Sequence, residues 1–340
     1  MAAYTAIDDS GLFMNTVLYT GNYSTNAITG VGFQPDLVWA KERDGTSSHA
    51  MFDAVRGVQE KIMPNSVDAE STETTYLSSF DSDGWTTLAN NGINQSGILN
   101  VGWQWKANGS GSANTVGDIA STVSANTTSG FAIVKYTGTY LNNTVGHGIG
   151  AVPKMIITKR LDDAENWKTY HVETGNDEKL QFDEQTASSS FDGWNDTTPT
   201  STVFSLGQNN GVNGSGYDYV AYCFADVAGY SKFGGYQGNS SADGVFIYTG
   251  FRPSLVIVKR TDDVSDWQMQ DSKRIGYNVN NYRLNANTSA AETASGVMDF
   301  VSNGFKFRGT PMNTSGGTFI YMAFAEAPFV NSNGVPCNAR

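Results

Sequence analysis

One short phrase occurs three times along this chain, and its spacing constrains the fold more than any other feature. Val17–Gly21 reads VLYTG, Val134–Gly138 reads VKYTG, and Phe246–Gly250 reads FIYTG. Behind each comes a proline-led apolar run that ends in lysine: Pro35–Lys41, Pro153–Lys159 and Pro253–Lys259. The tyrosines Tyr19, Tyr136 and Tyr248 lie 117 and 112 residues apart. Solenoid repeats run twenty to fifty residues, so a period this long predicts one small domain per copy.

The phrases around these anchors read as strands. Val17–Thr20, Phe131–Thr137 and Val245–Thr249 are predicted opening strands, each followed by a glycine suited to a turn. The runs after the prolines are β-branched and apolar on both faces, as in strands covered on both sides. Ser79–Trp85 and Phe300–Phe305 place Asp-Gly and Asn-Gly between aromatic strands, a strong hairpin signal. Leu88–Gly97 matches Leu206–Gly216, and Asn313–Gly316 is a worn remnant of the same loop. Val101–Trp105, Tyr217–Phe224 and Thr318–Phe324 close the copies with alternating character. No segment shows a sustained 3.6-residue period. The expected fold is all-β: three related β-sandwich units in tandem, jelly-roll-like. The boundaries expected are 1–107, 130–226 and 244–340, the last with a C-terminal tail. Residues 108–129 and 227–243 are the expected linkers, the first flexible by composition and the second aromatic enough to pack on a neighbour.

Composition narrows the function. Only 16% of residues are charged while 12% are aromatic, so there is ample apolar area to bury. A net charge of −12 opposes nucleic-acid binding, which needs cations to replace phosphate counterions, and opposes docking on an anionic membrane. No apolar run is long enough for a membrane-spanning helix, and Met1–Ser10 lacks the basic start and apolar core of a signal peptide. Cys223 sits in an apolar run and reads as a small buried hydrophobe. Cys337 lies near the end, and the two are not expected to pair.

No catalytic, cofactor or metal residue is assigned. His49, His147 and His171 lack metal-ligand spacing, and no phosphate loop, nucleophile elbow or paired-cysteine motif is present. The acidic pairs Asp162-Asp163 and Asp262-Asp263 have the chemistry of glycosidase carboxylates or of calcium ligands. Turn capping accounts for them more simply, since they follow equivalent strands in two copies. Trp103, Trp105, Trp167 and Trp267 fall at strand positions and are expected in the core. Trp85 and Trp194 follow acidic-glycine turns, where packing outweighs a sugar-stacking role. Loops that differ between copies are better binding candidates: Asn22–Gln34, and Thr139–Val152.

The string formed by Tyr19–Gly21, Gly30–Gly45 and Ser79–Trp85, with the ending Tyr321–Arg340, resembles a family of virion proteins from tailed phages. Many of these are phages of marine bacteria, cyanobacteria included. Members are described as tail-fibre-like or structural. The resemblance implies a virion setting and carries over no site residue. The resulting expectation is a non-enzymatic virion component, a tail fibre or host-facing appendage that contributes to host recognition. Its partners would be other virion proteins, further copies of itself (a trimer among the options) and a bacterial surface glycan or protein. The alternatives are a capsid decoration or adaptor protein and a glycan-cleaving tail enzyme, with a lectin-like module outside any virus as a weaker one.

Overall fold

A computed structural model describes residues 7–328; Met1–Ala6 and the tail that carries Cys337 lie outside the described residues. The chain is all-β, as its alternating apolar pattern predicts. The helical content among the described residues is one four-residue turn, Asn210–Asn213, and two short 3-10 turns.

Three large antiparallel sheets share one strand order. In the first, Met14–Thr20 pairs Leu99–Trp105, which pairs Leu37–Glu42, then Ala50–Asp53 and Gly57–Ile62 follow. In the second, the sequence is Phe131–Thr137, Asp218–Phe224, Met155–Arg160, Lys168–His171 and Gly175–Gln181. In the third it is Ser231–Gln237, Thr318–Pro328, Phe251–Arg260, Gln268–Asp271 and Asn280–Asn285.

That third order corrects the alignment of the copies. Phe246–Tyr248 does not open the third sheet; it pairs Gly304–Phe307 on the outer layer. The opening strand is Ser231–Gln237, inside the segment expected to be a linker. Tyr236 therefore stands where Tyr19 and Tyr136 stand. The three hydroxyls donate alike, to Ile93 O (2.8 Å), Val212 O (2.7 Å) and Met312 O (2.7 Å). The misalignment has a simple cause: Gly234-Gly235 disguises the strand as a turn, while FIYTG copies the motif by letters alone. The other expected linker is ordered as well. Ser112–Asn114 and Ser121–Asn126 add two strands to the edge of the second sheet.

Each large sheet is covered on its outer face. Asn26–Thr29, Gly84–Thr87 and Leu77–Asp81 lie over the first, and Asn143–Gly146 with Val203–Leu206 over the second. In the third, the sheet continues through Thr293–Val301 and Gly304–Phe307 and curls back on itself. The Ser79–Trp85 and Phe300–Phe305 hairpins form as the Asp-Gly and Asn-Gly signals predict, closing at Asp81↔Gly84 and Val301↔Gly304. Separate outer cores gather around Trp85, Trp194 and Phe305.

The inner faces share one core instead of closing three. Trp39, Trp103 and Trp105 pack with Ile133, Tyr222 and Phe224 and with Leu255, Met322 and Phe324. The aromatics Trp105, Phe224 and Phe324, at equivalent positions of the three closing strands, form a triangle with ring centroids 6.4, 5.6 and 5.9 Å apart. Alternation puts every second residue of a strand inward, and at these positions the inward residue is aromatic in all three sheets. The seams between sheets close in a ring. Glu70 N–H donates to Leu161 O, Ser188 N–H to Thr261 O and Glu292 N–H to Arg43 O. The last of these joins the third sheet to the first, so the arrangement is cyclic.

Candidate functional site

The ring geometry fixes where the variable loops go. Thr20 pairs Leu99 and Glu42 pairs Asn100, so the turn after the opening strand, the turn after the second strand and the start of the closing strand share one end of the first sheet. The equivalent seams of the three sheets all involve this end. Each loop set therefore lies at the end of its sheet that meets the neighbouring sheet.

A buried asparagine anchors each set. Asn94, Asn213 and Asn313 are fully buried. Their Oδ1 atoms accept the backbone N–H of Asn22 (3.0 Å), Thr139 (2.9 Å) and Asn239 (3.0 Å). Their amides donate to carbonyls on both sides, Ser24 O and Leu88 O in the first case, Leu141 O and Gly207 O in the second. Gly21, Gly138 and Gly238 pass so near the asparagine's backbone that a Cβ at any of them would overlap it. The residue two places after each glycine, Tyr23, Tyr140 or Ser240, is held at positive φ (54°, 59° and 53°). These are the loops that sequence comparison singled out in the first two copies. The third copy has the same loop, beginning at Gly238.

The acidic pairs serve the turn. Asp162 and Asp262 accept the first N–H of the closing strand, from Asp218 at 2.9 Å and Thr318 at 3.1 Å, and Asp44 does so for Leu99. Asp163 and Asp263 accept from their own following residue and pair with Arg160 and Arg260. No group of three or more His, Cys, Asp or Glu side chains is placed to hold a metal ion among the described residues.

The histidines are scattered and structural. His49 Nδ1 accepts the Trp39 indole N–H at 2.8 Å, leaving Nε2–H to donate to Asn285 O and Thr288 O across the seam. Burial, with the Lys41 charge nearby, lowers its pKa to about 3, so it stays neutral. His171 Nδ1 accepts from Glu173 N–H and its Nε2–H faces Tyr321 O; burial lowers its pKa to about 4. His147 contacts Thr200 O, far along the chain from both. Cys223 is buried in the outer core of the second sheet, which raises its thiol pKa. Trp85, Trp194, Trp103, Trp105, Trp167 and Trp267 are all buried.

Sequence reading missed the lysines. Lys41, Lys159 and Lys259 end the proline-led runs and are fully buried. Lys159 Nζ donates to Val67 O and Glu165 O, and Lys259 Nζ to Gln185 O and Ser265 O, each bridging a seam. Lys41 Nζ donates within its own turn, to Glu42 O and Gly45 O. Burial lowers all three to about 8. Their recurrence at the same place in three runs was the available signal.

Open clefts of about 250 to 350 Å³ lie beside each of the three sheets; the one of about 300 Å³ beside the first is lined by Ser47, Ser48, Lys61, Tyr76 and Asn91 among others. It opens where Ala50 occupies the position that Lys168 and Gln268 fill in the other sheets. No helix among the described residues is long and apolar enough to cross a membrane. No curated protein and no solved structure matches the chain. A family model matches residues 9–328, a span that takes in all three sheets. The chain thus belongs to the domain family of unknown function DUF7483.

Proposed function

We propose that this protein is a non-enzymatic structural component of a tailed-phage virion, a tail fibre or other host-facing appendage that contributes to host surface recognition. The observation that supports it best is the ring of three sheets around one core, which carries one anchored loop set on each sheet. Such a scaffold suits weak contacts repeated over several copies, where linkage raises avidity without new chemistry. The histidines, acidic turn residues and inward lysines are occupied by hydrogen bonds that hold strands and seams. The sequence resemblance to virion proteins points the same way. The partners on this reading are neighbouring virion proteins, further copies of the chain, and a bacterial surface glycan or protein.

The cyclic arrangement favours a second reading, a capsid decoration or adaptor protein seated on a three-fold position of the particle. Antibody labelling of intact particles followed by electron microscopy separates the two. Label on the tail or its fibres supports the appendage, label on the head supports decoration, and absence of the protein from purified particles overturns both. New reducing ends in host polysaccharide incubated with the purified protein would replace them with a glycan-cleaving enzyme.

A further inference from the structure

We infer that Tyr23 and Tyr140 are a pair of saccharide-stacking platforms on the loops after the opening strands. This rests on the host-facing reading and assigns it two residues and a ligand class.

The loop after each opening strand holds one residue in the left-handed region, with its N–H donated to the carbonyl of the buried asparagine: Tyr23 to Asn94 O (2.8 Å), Tyr140 to Asn213 O (2.7 Å) and Ser240 to Asn313 O (2.6 Å). Left-handed backbone is costly for a bulky side chain and is usually left to Gly, Asn or Asp. Ser240 demonstrates that the loop forms without an aromatic ring. A tyrosine in two of the three copies is thus an expense the fold does not need.

The rings are also unused by the protein. Tyr23 is 50% exposed and Tyr140 43%. Neither makes a ring, cation or side-chain hydrogen-bond contact among the described residues. The loop segments that carry them are uncharged in a chain of net charge −12: residues 20–29 and 137–146 hold no Asp, Glu, Lys or Arg. Two carboxylates reach the second loop at its ends, Asp218 accepting from Thr137 Oγ1 and Asp118 from Thr144 N–H and Oγ1, where hydrogen bonds occupy them. The third loop is different in both respects, with serine at the tip and Asp243 paired to Lys306 and Arg308. An exposed aromatic face rimmed by amides and hydroxyls matches a sugar ring, which offers an apolar C–H face and a hydroxyl edge. It matches neither a polyanion nor a polycation. Two such platforms on one rigid core can engage one polymer together, and joint engagement multiplies affinity.

The third copy supplies the test variant, because serine is already tolerated at this position. The full-length protein, Tyr23→Ser, Tyr140→Ser and the double variant would be applied to a printed array of neutral bacterial surface saccharides. Affinities for whatever polysaccharide the parent binds would follow, with Tyr277→Ser as an exposed control away from these loops. Each single change should weaken binding about tenfold and the double about a hundredfold or more, with unfolding temperature unchanged and the control unaffected. Retention of parental affinity by the double variant overturns the platforms and leaves the host-facing reading intact. Absence of any saccharide binding by the parent also overturns them, and the host-facing reading then stands or falls on particle labelling alone.

Discussion

Asn94, Asn213 and Asn313 perform one task three times, each tying the chain leaving an opening strand to the loop before a closing strand. A buried amide that makes three such bonds cannot be trimmed without stranding its partners, and each stranded group costs about 1–3 kcal/mol. Asn213→Ala should therefore lose about 2–4 kcal/mol in denaturant unfolding, while Asn22→Ala on the exposed rim should lose much less. The lysines make a prediction about pH. Burial lowers their folded pKa to about 8 against about 10.4 unfolded, so the folded state pays to keep them charged below pH 8. Above pH 8 the folded lysines shed protons that the unfolded chain retains, and stability gains up to about 1.4 kcal/mol per pH unit from each. Cys223 and the buried tyrosines, raised by burial, oppose the gain as the unfolded chain loses their protons. The clean measurement is a difference: between pH 8 and 9, Lys159→Met should show a more negative stability slope than the parent. Equal slopes would mean the lysine is not titrating in that window.

At the scale of elements, Ser231–Gln237 decides how the third sheet is built. It supplies Phe233 to the shared core and Tyr236 to the outer one, through a strand that two glycines disguise. Its neighbour Asp226 accepts the Phe233 N–H at 2.8 Å on the outer edge, and Asn15 Oδ1 accepts the Thr16 N–H at the same place in the first sheet. In the second sheet, Ser124 in the added strand pairs with the equivalent Ile133. An exposed edge strand invites pairing with other chains, and a side chain that occupies its N–H discourages this. Replacing 231–237 with a Gly/Ser segment of equal length should abolish cooperative unfolding by calorimetry. A true linker would tolerate the exchange. Strand content, both hairpins and the closing strands were legible because alternation and Asp-Gly or Asn-Gly turns are local signals. Segment 108–129 was not, because small polar residues leave pairing to be settled by whatever edge lies beside them.

For the whole molecule, the shared core sets the cooperative unit. Inward residues of all three sheets meet at the Trp105–Phe224–Phe324 triangle, and the seam from Glu292 to Arg43 closes the ring, reinforced by an ion pair at 2.9 Å. One cooperative transition is expected for the full chain. A fragment spanning 130–226 alone should fail to give dispersed NMR signals, because Ile133, Ile157, Tyr222 and Phe224 would face water. Phe224→Ala should cost about 3–5 kcal/mol, the range for emptying a buried aromatic site, and should broaden or split the transition seen by calorimetry if the sheets uncouple. A fully folded isolated fragment would contradict the shared core.

The chain's own letters determined that it is all-β, where most strands run, that a motif recurs, and that no familiar catalytic pattern is present. These follow from side-chain alternation and turn chemistry, which act over a few residues. Only the tertiary structure decided which strand opens the third sheet, that the inner faces join in one core, that the three lysines turn inward and two of them bridge seams, and that two tyrosine rings stand exposed on the loops after the opening strands. Those outcomes depend on which surfaces meet across a hundred residues or more, and burial and partner, not local sequence, select among strands that read alike.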